Sequence, residues 1–552
     1  MIRKINMKHL IQLSFLLAVC FSLGINEIQG QTFTRQDTLR GSVTPERAWW
    51  DLTYYHLDIR VDPNRKSIQG KNTIHYQVID PFQVVQIDLQ EPMKVEKFVQ
   101  EGKTLTYKKE GNVYFVTLQK PQKAGKMHQL EVVYGGIPKV SVNPPWSGGI
   151  TWTSDANGFP YIANSNQGDG ASLWWPCKDH MYDEPDSMLI SVRVPNPLMN
   201  VSNGRLRQVQ THDDQTRTFH WYVDNPINNY GVNLSIGDYA HFSEIYLGEK
   251  GPLTMDYFVL RDNLEKATTH FKDAPKMMRA FEYWFGPYPF YEDGFKLIEV
   301  PYLGMEHQSA VTYGNKYLKG YLGNDFSKTG WGLTFDYLII HEAGHEWFAN
   351  NITYKDIADM WVHESFTTYS EGLFIDYHYG KQAGNEYLVG ARQVIKNDIP
   401  IIGTYDVNKR GSGDMYFKGA NMLHTLRQWI NDDEKWRKIL RDMNVEFYHQ
   451  TVTTMEIEQF LIDRSGLPLG PFFDQYLRDN RVPTLEWKWE NGGLVYRWTS
   501  TVDGFYMPVK ISQGKEVSWI HPLNEWQGTT RLKAGETFEI DVNFYVRNKE
   551  SK

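Results

Sequence analysis

His341-Glu342-Ala343-Gly344-His345 stands in a run that reads as a buried helix from Leu333 onward, despite Gly344. Two histidines at i and i+4 share one helix face, with Cβ atoms about 5–6 Å apart. Both imidazoles can then reach one metal ion at the Zn–N distance of about 2.0–2.1 Å. Glu342 lies one residue on, rotated by about 100°, so it can touch a water at the metal without binding the metal itself. This is the spacing of a zinc metalloprotease motif. A second helical run, Trp361-Val362-His363-Glu364-Ser365-Phe366, brings Glu364 nineteen residues after His345. His341, His345 and Glu364 supply three ligands to one Zn2+ per chain and leave a fourth position open, the arrangement of catalytic rather than structural zinc. Glu342 is the expected general base. Glu371, seven residues after Glu364 on the same face, either hydrogen-bonds a ligand histidine or is a solvated or interhelical glutamate. His363 points elsewhere on the helix and reads as structural.

Outward from this motif the periodicity changes on both sides. From about Trp49 to Ile245 it is mostly two: Tyr55, Leu57, Ile59 and Val61 alternate with polar residues, Asp62-Pro63-Asn64 turns the chain, and Ile74, Tyr76 and Val78 resume the alternation. Half-buried antiparallel strands are expected there. Beyond Gly251-Pro252 the spacing becomes helical. Leu264 to Trp284 predicts a helix with Asn263 as N-cap and Gly286 as stop, and Pro275 predicts a kink or two short helices. Phe295 to Val300 reads as a strand, and helical patterns dominate from Thr334 to about Asp479. After Val482-Pro483 the period returns to two, with Leu485, Trp487 and Trp489 alternating, Asn491-Gly492-Gly493 turning the chain, and Leu494, Tyr496 and Trp498 following, which is a hairpin signature. The expected division is a leader over 1–30, an N-terminal β domain over 31–250, a zinc-bearing, mainly helical domain over 251–482, and a small β domain over 483–552. The fold class is multidomain α+β.

Composition agrees with that division and adds exclusions. At 552 residues the chain has room for three or four domains. With 41 % hydrophobic and 22 % charged residues it is an ordinary globular sequence, not a disordered one. The formal net charge of −8 argues against a nucleic-acid partner, which calls for a basic surface.

Arg3, Lys4 and Lys8 precede an apolar run from Leu10 to Leu23, broken by Gln12 and Ser14. That is a secretory signal peptide, with cleavage after Gly30 leaving Gln31 first, so the expected location is periplasmic or secreted. The uninterrupted apolar stretch is too short to favour a membrane anchor. Leu17-Ala18-Val19-Cys20 has the outline of a bacterial lipid-attachment site, with bulky Val19 where a small residue is usual. No later segment is long and apolar enough to span a bilayer, so no stable membrane insertion is expected. The chain has two cysteines; with Cys20 in the leader, Cys177 stands alone, leaving no internal disulfide and a packing role.

Together these segments resemble the gluzincin zinc aminopeptidases, the family of aminopeptidase N and leukotriene hydrolase, from the Trp49 region to past Pro483. His345-Glu346-Trp347-Phe348-Ala349-Asn350 and Trp361 to Phe366 match the extended zinc signature, with His363-Glu364-Ser365 where the family has Asn-Glu-Gly, which leaves the ligand intact. Phe285-Gly286-Pro287-Tyr288-Pro289-Phe290 is also family-like. Gly304-Met305-Glu306-His307 is similar to the exopeptidase motif Gly-Ala-Met-Glu-Asn, with Leu303-Gly304 for Gly-Ala and His307 for Asn. The resemblance implies that Gly304, Met305 and Glu306 bind substrate, with Glu306 on the free α-amino group. A fixed carboxylate near the metal would indeed favour an ammonium one residue before the scissile bond. His307 is a poorer donor–acceptor match than an amide and titrates near pH 6.5 in its ordinary state, which bears on fine specificity. Gln167, nine residues before Pro176-Cys177, matches a family Gln or Glu that contacts the substrate amine. Tyr416, in Asp414-Met415-Tyr416-Phe417-Lys418-Gly419-Ala420, matches the family's Tyr-x-Lys-Gly-Ala, and its phenol is implied to donate a hydrogen bond to the oxyanion.

The resemblance implies an N-terminal antiparallel β saddle, a thermolysin-like mainly helical catalytic domain and a small C-terminal β-sandwich. It also implies zinc-dependent removal of N-terminal residues from peptides with a free N-terminus. The family's large C-terminal helical domain has no counterpart after residue 483, which predicts a less enclosed cleft. A zinc endopeptidase is the rival within enzymes, against which Glu306 and Gln167 count; a second activity on epoxides is known in the family. A secreted binding module with a degenerate site is the rival outside enzymes, against which Glu342 and Tyr416 count.

Overall fold

The computed structural model describes residues 32–551 apart from 514–515 and 534–537. The leader expected over 1–30, with Cys20 inside it, and Gln31 lie outside the described residues. The alternating stretches are strands β1 (Trp50–Asp62) and β2 (Ser67–Val78). Tyr55, Leu57, Ile59, Val61, Ile74, Tyr76 and Val78 are all buried. Asp62 shapes the turn between them, accepting the amides of Asn64 at 3.0 Å and Arg65 at 3.1 Å. A bulge between Leu52 and Tyr54 brings Leu52 and Tyr55 to one face although they are three residues apart.

Strands β3 (Met127–Gly136), β4 (Ser187–Pro195) and β5 (Thr216–Val223) extend the pair into an eight-stranded sheet. The sheet is mixed where antiparallel pairing was expected, because β1 runs parallel to β4 with Tyr54 opposite Ser187. Side chains alternate with period two in either ladder, so the pattern alone does not distinguish them. A four-stranded sheet includes Pro160–Ser165, which ends two residues before Gln167. The loop that follows rests on a buried polar network. Arg47 donates to Asp88 at 2.7 Å, Asp88 accepts the Asp179 amide at 3.2 Å, and Asp179 accepts the Ser172 amide at 3.0 Å. Cys177 is buried in the same stretch, and burial pushes its thiol pKa well up.

A hairpin of β6 (Tyr239–Gly248) and β7 (Gly251–Leu260) runs across the border expected at residue 250 and enters the sheet of the catalytic unit. The helical stretch that follows is two helices, Leu264–His270 and α1 (Asp273–Phe285). Pro275 sits in the first turn of α1, where a missing N–H costs little. Asn263 does not cap: its amide donates to Glu299 Oε1 at 2.7 Å instead. Gly286, at φ 96°, ends α1 as expected. Strand β8 (Phe295–Glu299) leads to β9 (Gly304–Met305) and β10 (Val311–Tyr313), which complete a five-stranded mixed sheet.

The motif helix, α2 (Tyr337–Gly344), starts later than Leu333, which ends a separate 3-10 turn. Asp336 sets the start by accepting the amides of Leu338 at 2.9 Å and Ile339 at 3.4 Å. Beside it runs α3 (Trp361–Tyr379), buried from Trp361 through Ile375. Gly344 makes their close approach possible. A Cβ there would lie 2.8 Å from Ser370 Oγ and 3.1 Å from Thr367 Cγ2. Helix α4 (Phe417–Ile430) packs on α3 and begins directly after Tyr416. Among the described residues the C-terminal unit has two small sheets, of four and three strands. Its hairpin, Thr484–Glu490 with Gly493–Thr499, turns through Asn491 at φ 52° and Gly492 at φ 79°, as a tight two-residue turn requires.

The network behind Gln167 is testable. Arg47 and Asp88 side chains are 0 % and 3 % exposed, so Arg47→Met leaves a buried carboxylate without its counter-charge. The expected cost is about 3–5 kcal/mol, read as a lower denaturant midpoint of tryptophan fluorescence. An unchanged midpoint would show that the pair does not support this region.

Candidate metal centre

Helix α2 presents His341 and, at its C-terminal edge, His345; α3 presents Glu364 from its first turn. Glu364 Oε2 lies 3.7 Å from His341 Nε2 and 3.5 Å from His345 Nε2. Two donors bonded to one zinc at tetrahedral angles are about 3.4 Å apart, so the spacing fits a single ion. The outer ring nitrogens fix the tautomers. His341 Nδ1 donates to Glu371 Oε1 at 2.8 Å, and His345 Nδ1 donates to the Phe348 carbonyl at 3.0 Å. Carboxylate and carbonyl only accept, so both Nε2 atoms face inward with free lone pairs. Glu364 Oε2 is buried and has no hydrogen-bond partner among the described residues. A buried carboxylate oxygen is not left bare without large cost; a cation between it and the two rings satisfies it. The residues therefore fit zinc.

Electrostatics agree. Burial opposes charge on His341, yet Glu364, Glu371 and Glu342 outweigh it and push its pKa well up. His345 is likewise raised, burial being outweighed by Glu364 and Glu306. Burial also opposes charge on Glu364, but the two histidines hold its pKa well below the ordinary range. The site is built for positive charge. The Phe348 carbonyl is aimed by an unusual backbone, with Ala349 at φ 153°, a conformation that costs of order 1–3 kcal/mol in a non-glycine residue.

Next to the metal position lies a second polar cluster. Gln167 Nε2 donates to Glu306 Oε1 at 2.7 Å and to Glu364 Oε1 at 2.9 Å. Both amide hydrogens are used, which leaves the Gln167 oxygen as an acceptor. Tyr230 donates to Glu306 Oε1 at 3.1 Å. Burial, with Glu364 nearby, raises the Glu306 pKa against the pull of His345. Oxygens of Glu306 and Glu342 and a ring nitrogen of His345 lie within 4.8 Å of one another. Burial, with Glu306 and Glu364 close, lifts Glu342 to about 7 against His341 and His345. Gly304 and Met305 line the same cleft with Glu342, Tyr416 and Arg410. At Gly304 a Cβ would press on Leu338 at 2.9 Å and on Glu342 Cγ at 3.3 Å. The Tyr416 ring lies 6.1 Å from that of His341, and burial beside Glu364 and Glu306 keeps its phenol protonated by raising its pKa well up.

The sequence-predicted site residues His341, Glu342, His345, Glu364, Gln167, Gly304, Met305, Glu306 and Tyr416 thus converge on one cleft. One family model, described as the peptidase family M1 domain, matches residues 270–476, and another, the peptidase M1 N-terminal domain, matches residues 52–230. The chain belongs to peptidase family M1. Leukotriene A-4 hydrolase of Xenopus laevis is 23 % identical to this M1 chain over 447 residues, covering 76 % of it and 68 % of the hydrolase. Aminopeptidase N of Lactococcus lactis is 24 % identical over 250 residues, covering 43 % of the chain and 28 % of the relative, so the match spans under a third of that relative's length. An M1 zinc metallopeptidase of Deinococcus radiodurans, solved with a Tyr-Ser-Ala substrate, superposes with a TM-score of 0.66 at 20 % identity, covering 79 % of this chain and 96 % of that one. This last likeness speaks to the fold.

Several partners escaped the reading of the M1 sequence. Tyr230 carries no motif around it that marks contact with Glu306. Glu346 follows His345 in the signature, yet its work is elsewhere: it accepts the Ser309 amide at 3.0 Å and the hydroxyl of Tyr288 at 2.7 Å. Glu371 proves to be the ligand's partner and is held in turn by the Tyr387 hydroxyl at 2.5 Å. His363 is structural as expected, its Nε2 accepting the Tyr354 amide at 2.9 Å. His307 departs from expectation: it is wholly buried, and burial lowers its pKa to about 3, so it stays neutral rather than titrating near 6.5.

Glu371→Gln removes the negative partner of His341 while keeping its shape. Zinc affinity is expected to fall about 10–100-fold, measured by competition with a chromogenic chelator. Unchanged affinity would show that Glu371 does not support the ligand.

Proposed function

We propose that this M1 chain is a zinc-dependent aminopeptidase that hydrolyses the N-terminal residue from peptides. The observation that carries this reading is the sharing of Gln167 between Glu306 and Glu364, which sets an amine anchor directly against a metal ligand. Zinc, when bound by His341, His345 and Glu364, supplies a Lewis acid that polarises the scissile carbonyl and makes a water acidic near neutral pH. Glu306 and the Gln167 oxygen bind the substrate ammonium, and the fixed gap to the metal selects the first peptide bond. Glu342 takes the proton of the attacking water and passes it to the leaving amine. The Tyr416 phenol donates a hydrogen bond to the carbonyl oxygen as it gains charge.

An endopeptidase would leave the buried Glu306 carboxylate without a function beside the metal, and a degenerate binding module would have no use for Glu342. Export is part of the proposal, supported by the basic Arg3, Lys4 and Lys8 before the apolar run from Leu10. Among the described residues no helix is long and apolar enough to cross a membrane.

A leucyl amide should be cleaved and its N-acetylated form should not. Glu342→Gln should lower kcat by about 10²–10⁴ while zinc content, measured by elemental analysis, stays at one per chain. Comparable cleavage of the acetylated amide would overturn the aminopeptidase reading. Full activity of the Glu342→Gln variant would overturn the role of the base.

A further inference from the structure

Arg410 lines the same cleft as Gln167, Glu306 and Tyr416. It is exposed and makes no ion pair or hydrogen bond with any described residue. An arginine near carboxylates normally pairs with one, often through two parallel hydrogen bonds. Here Glu306, Glu342 and Glu364 share the cleft, and Arg410 is paired with none of them. Two of them are already engaged, Glu364 with the ligand histidines and Gln167, and Glu306 with Gln167 and Tyr230.

The backbone carrying Arg410 is not a free strap. The Ile401 and Ile402 amides donate to the Leu477 carbonyl at 2.9 and 3.1 Å, and the Ser412 amide donates to Pro400 at 2.9 Å. Asn408 donates to the Gly168 carbonyl at 3.0 Å, one residue past Gln167. A Cβ on Gly411 would fall 1.8 Å from the Ile401 carbonyl oxygen, so the residue after Arg410 is packed against the neighbouring chain. The guanidinium is therefore a cation offered from a fixed base, on the segment that touches the Gln167 loop. Among the cleft's other side chains the acidic ones are Glu306, Glu342 and Glu364, which repel a substrate carboxylate, and Arg410 is, among the described residues, the one Lys or Arg that lines it.

We propose that Arg410 receives a carboxylate of the substrate, carried either by the side chain of an acidic N-terminal residue or by the free C-terminus of a di- or tripeptide. The proposal rests on the aminopeptidase reading and adds a substrate class to it.

Two matched pairs separate the sources: glutamyl against glutaminyl amide, and Leu-Gly-Gly against Leu-Gly-Gly amide, all with the zinc-loaded full chain. In at least one pair the acidic member should show kcat/KM about three- to fivefold higher, chiefly through KM, the upper size of an arginine–carboxylate contact at an exposed site. Arg410→Gln should bring that ratio to about one, and Arg410→Lys should restore part of it. The preference should also shrink in high salt. A ratio near one in both pairs for the parent enzyme overturns the proposal, as does a ratio that Arg410→Gln leaves intact. Leucyl amide serves as the reference. If the parent does not cleave it, the aminopeptidase reading fails; if it is cleaved and the pairs do not differ, only the role of Arg410 fails.

Discussion

The two oxygens of Glu364 do different work, and most of the molecule is arranged around that fact. Oε2 faces His341 and His345 and completes a metal position; Oε1 accepts the amide of Gln167 from the N-terminal β unit. The carboxylate is deeply buried, so each oxygen must be matched by positive charge or a donor. The metal site thus needs the N-terminal unit docked against the catalytic helices. The docking is polar and specific: Asn203 donates to the Gln308 carbonyl at 2.7 Å, and the Gly204 amide donates to Ser309 Oγ at 2.9 Å. Both contacts fall on the segment just past Glu306, so the interface that brings Gln167 into place also steadies the residue Gln167 touches.

What could be read in advance follows from which constraints are local. The spacing of His341, His345 and Glu364 is set by helical geometry, and geometry of that kind is written in residue intervals. The alternation of Tyr55, Leu57, Ile59 and Val61, and the Asn491-Gly492 turn, are local in the same sense. The parallel pairing of β1 with β4 joins segments over 120 residues apart and leaves no mark on either. Asn263 had the chemistry of a cap, but tertiary contact with Glu299 took its side chain. Glu371 and Glu346 look alike as signature-region glutamates; only packing shows one gripping a ligand ring and the other gripping a loop.

Helix α3 shows why burial hid so much. From Trp361 through Ile375 every face is covered, so no apolar stripe marks one side of it. Several of its polar residues have specific partners. His363 accepts the Tyr354 amide, Ser365 donates to the Met415 carbonyl at 2.6 Å, and Glu371 spans His341 and Tyr387. Each partner lies far off in sequence or on another element, beyond what periodicity can register. His307 belongs to the same class, since its neutrality is a property of the surrounding protein and not of the imidazole.

The grip of Glu346 on the Ser309 amide has a geometrical consequence. Asn350 adds a second tie from the same segment, donating to the Glu306 carbonyl at 2.9 Å and to Glu346 at 3.2 Å. The residues immediately following the zinc helix therefore hold the backbone of the loop that carries Glu306. His345 and Glu306 are thus held by one hydrogen-bonded frame, which on the aminopeptidase reading acts like the two jaws of a caliper. Widening the gap between Glu306 and His345 requires breaking the ties that Glu346 and Asn350 make to that loop.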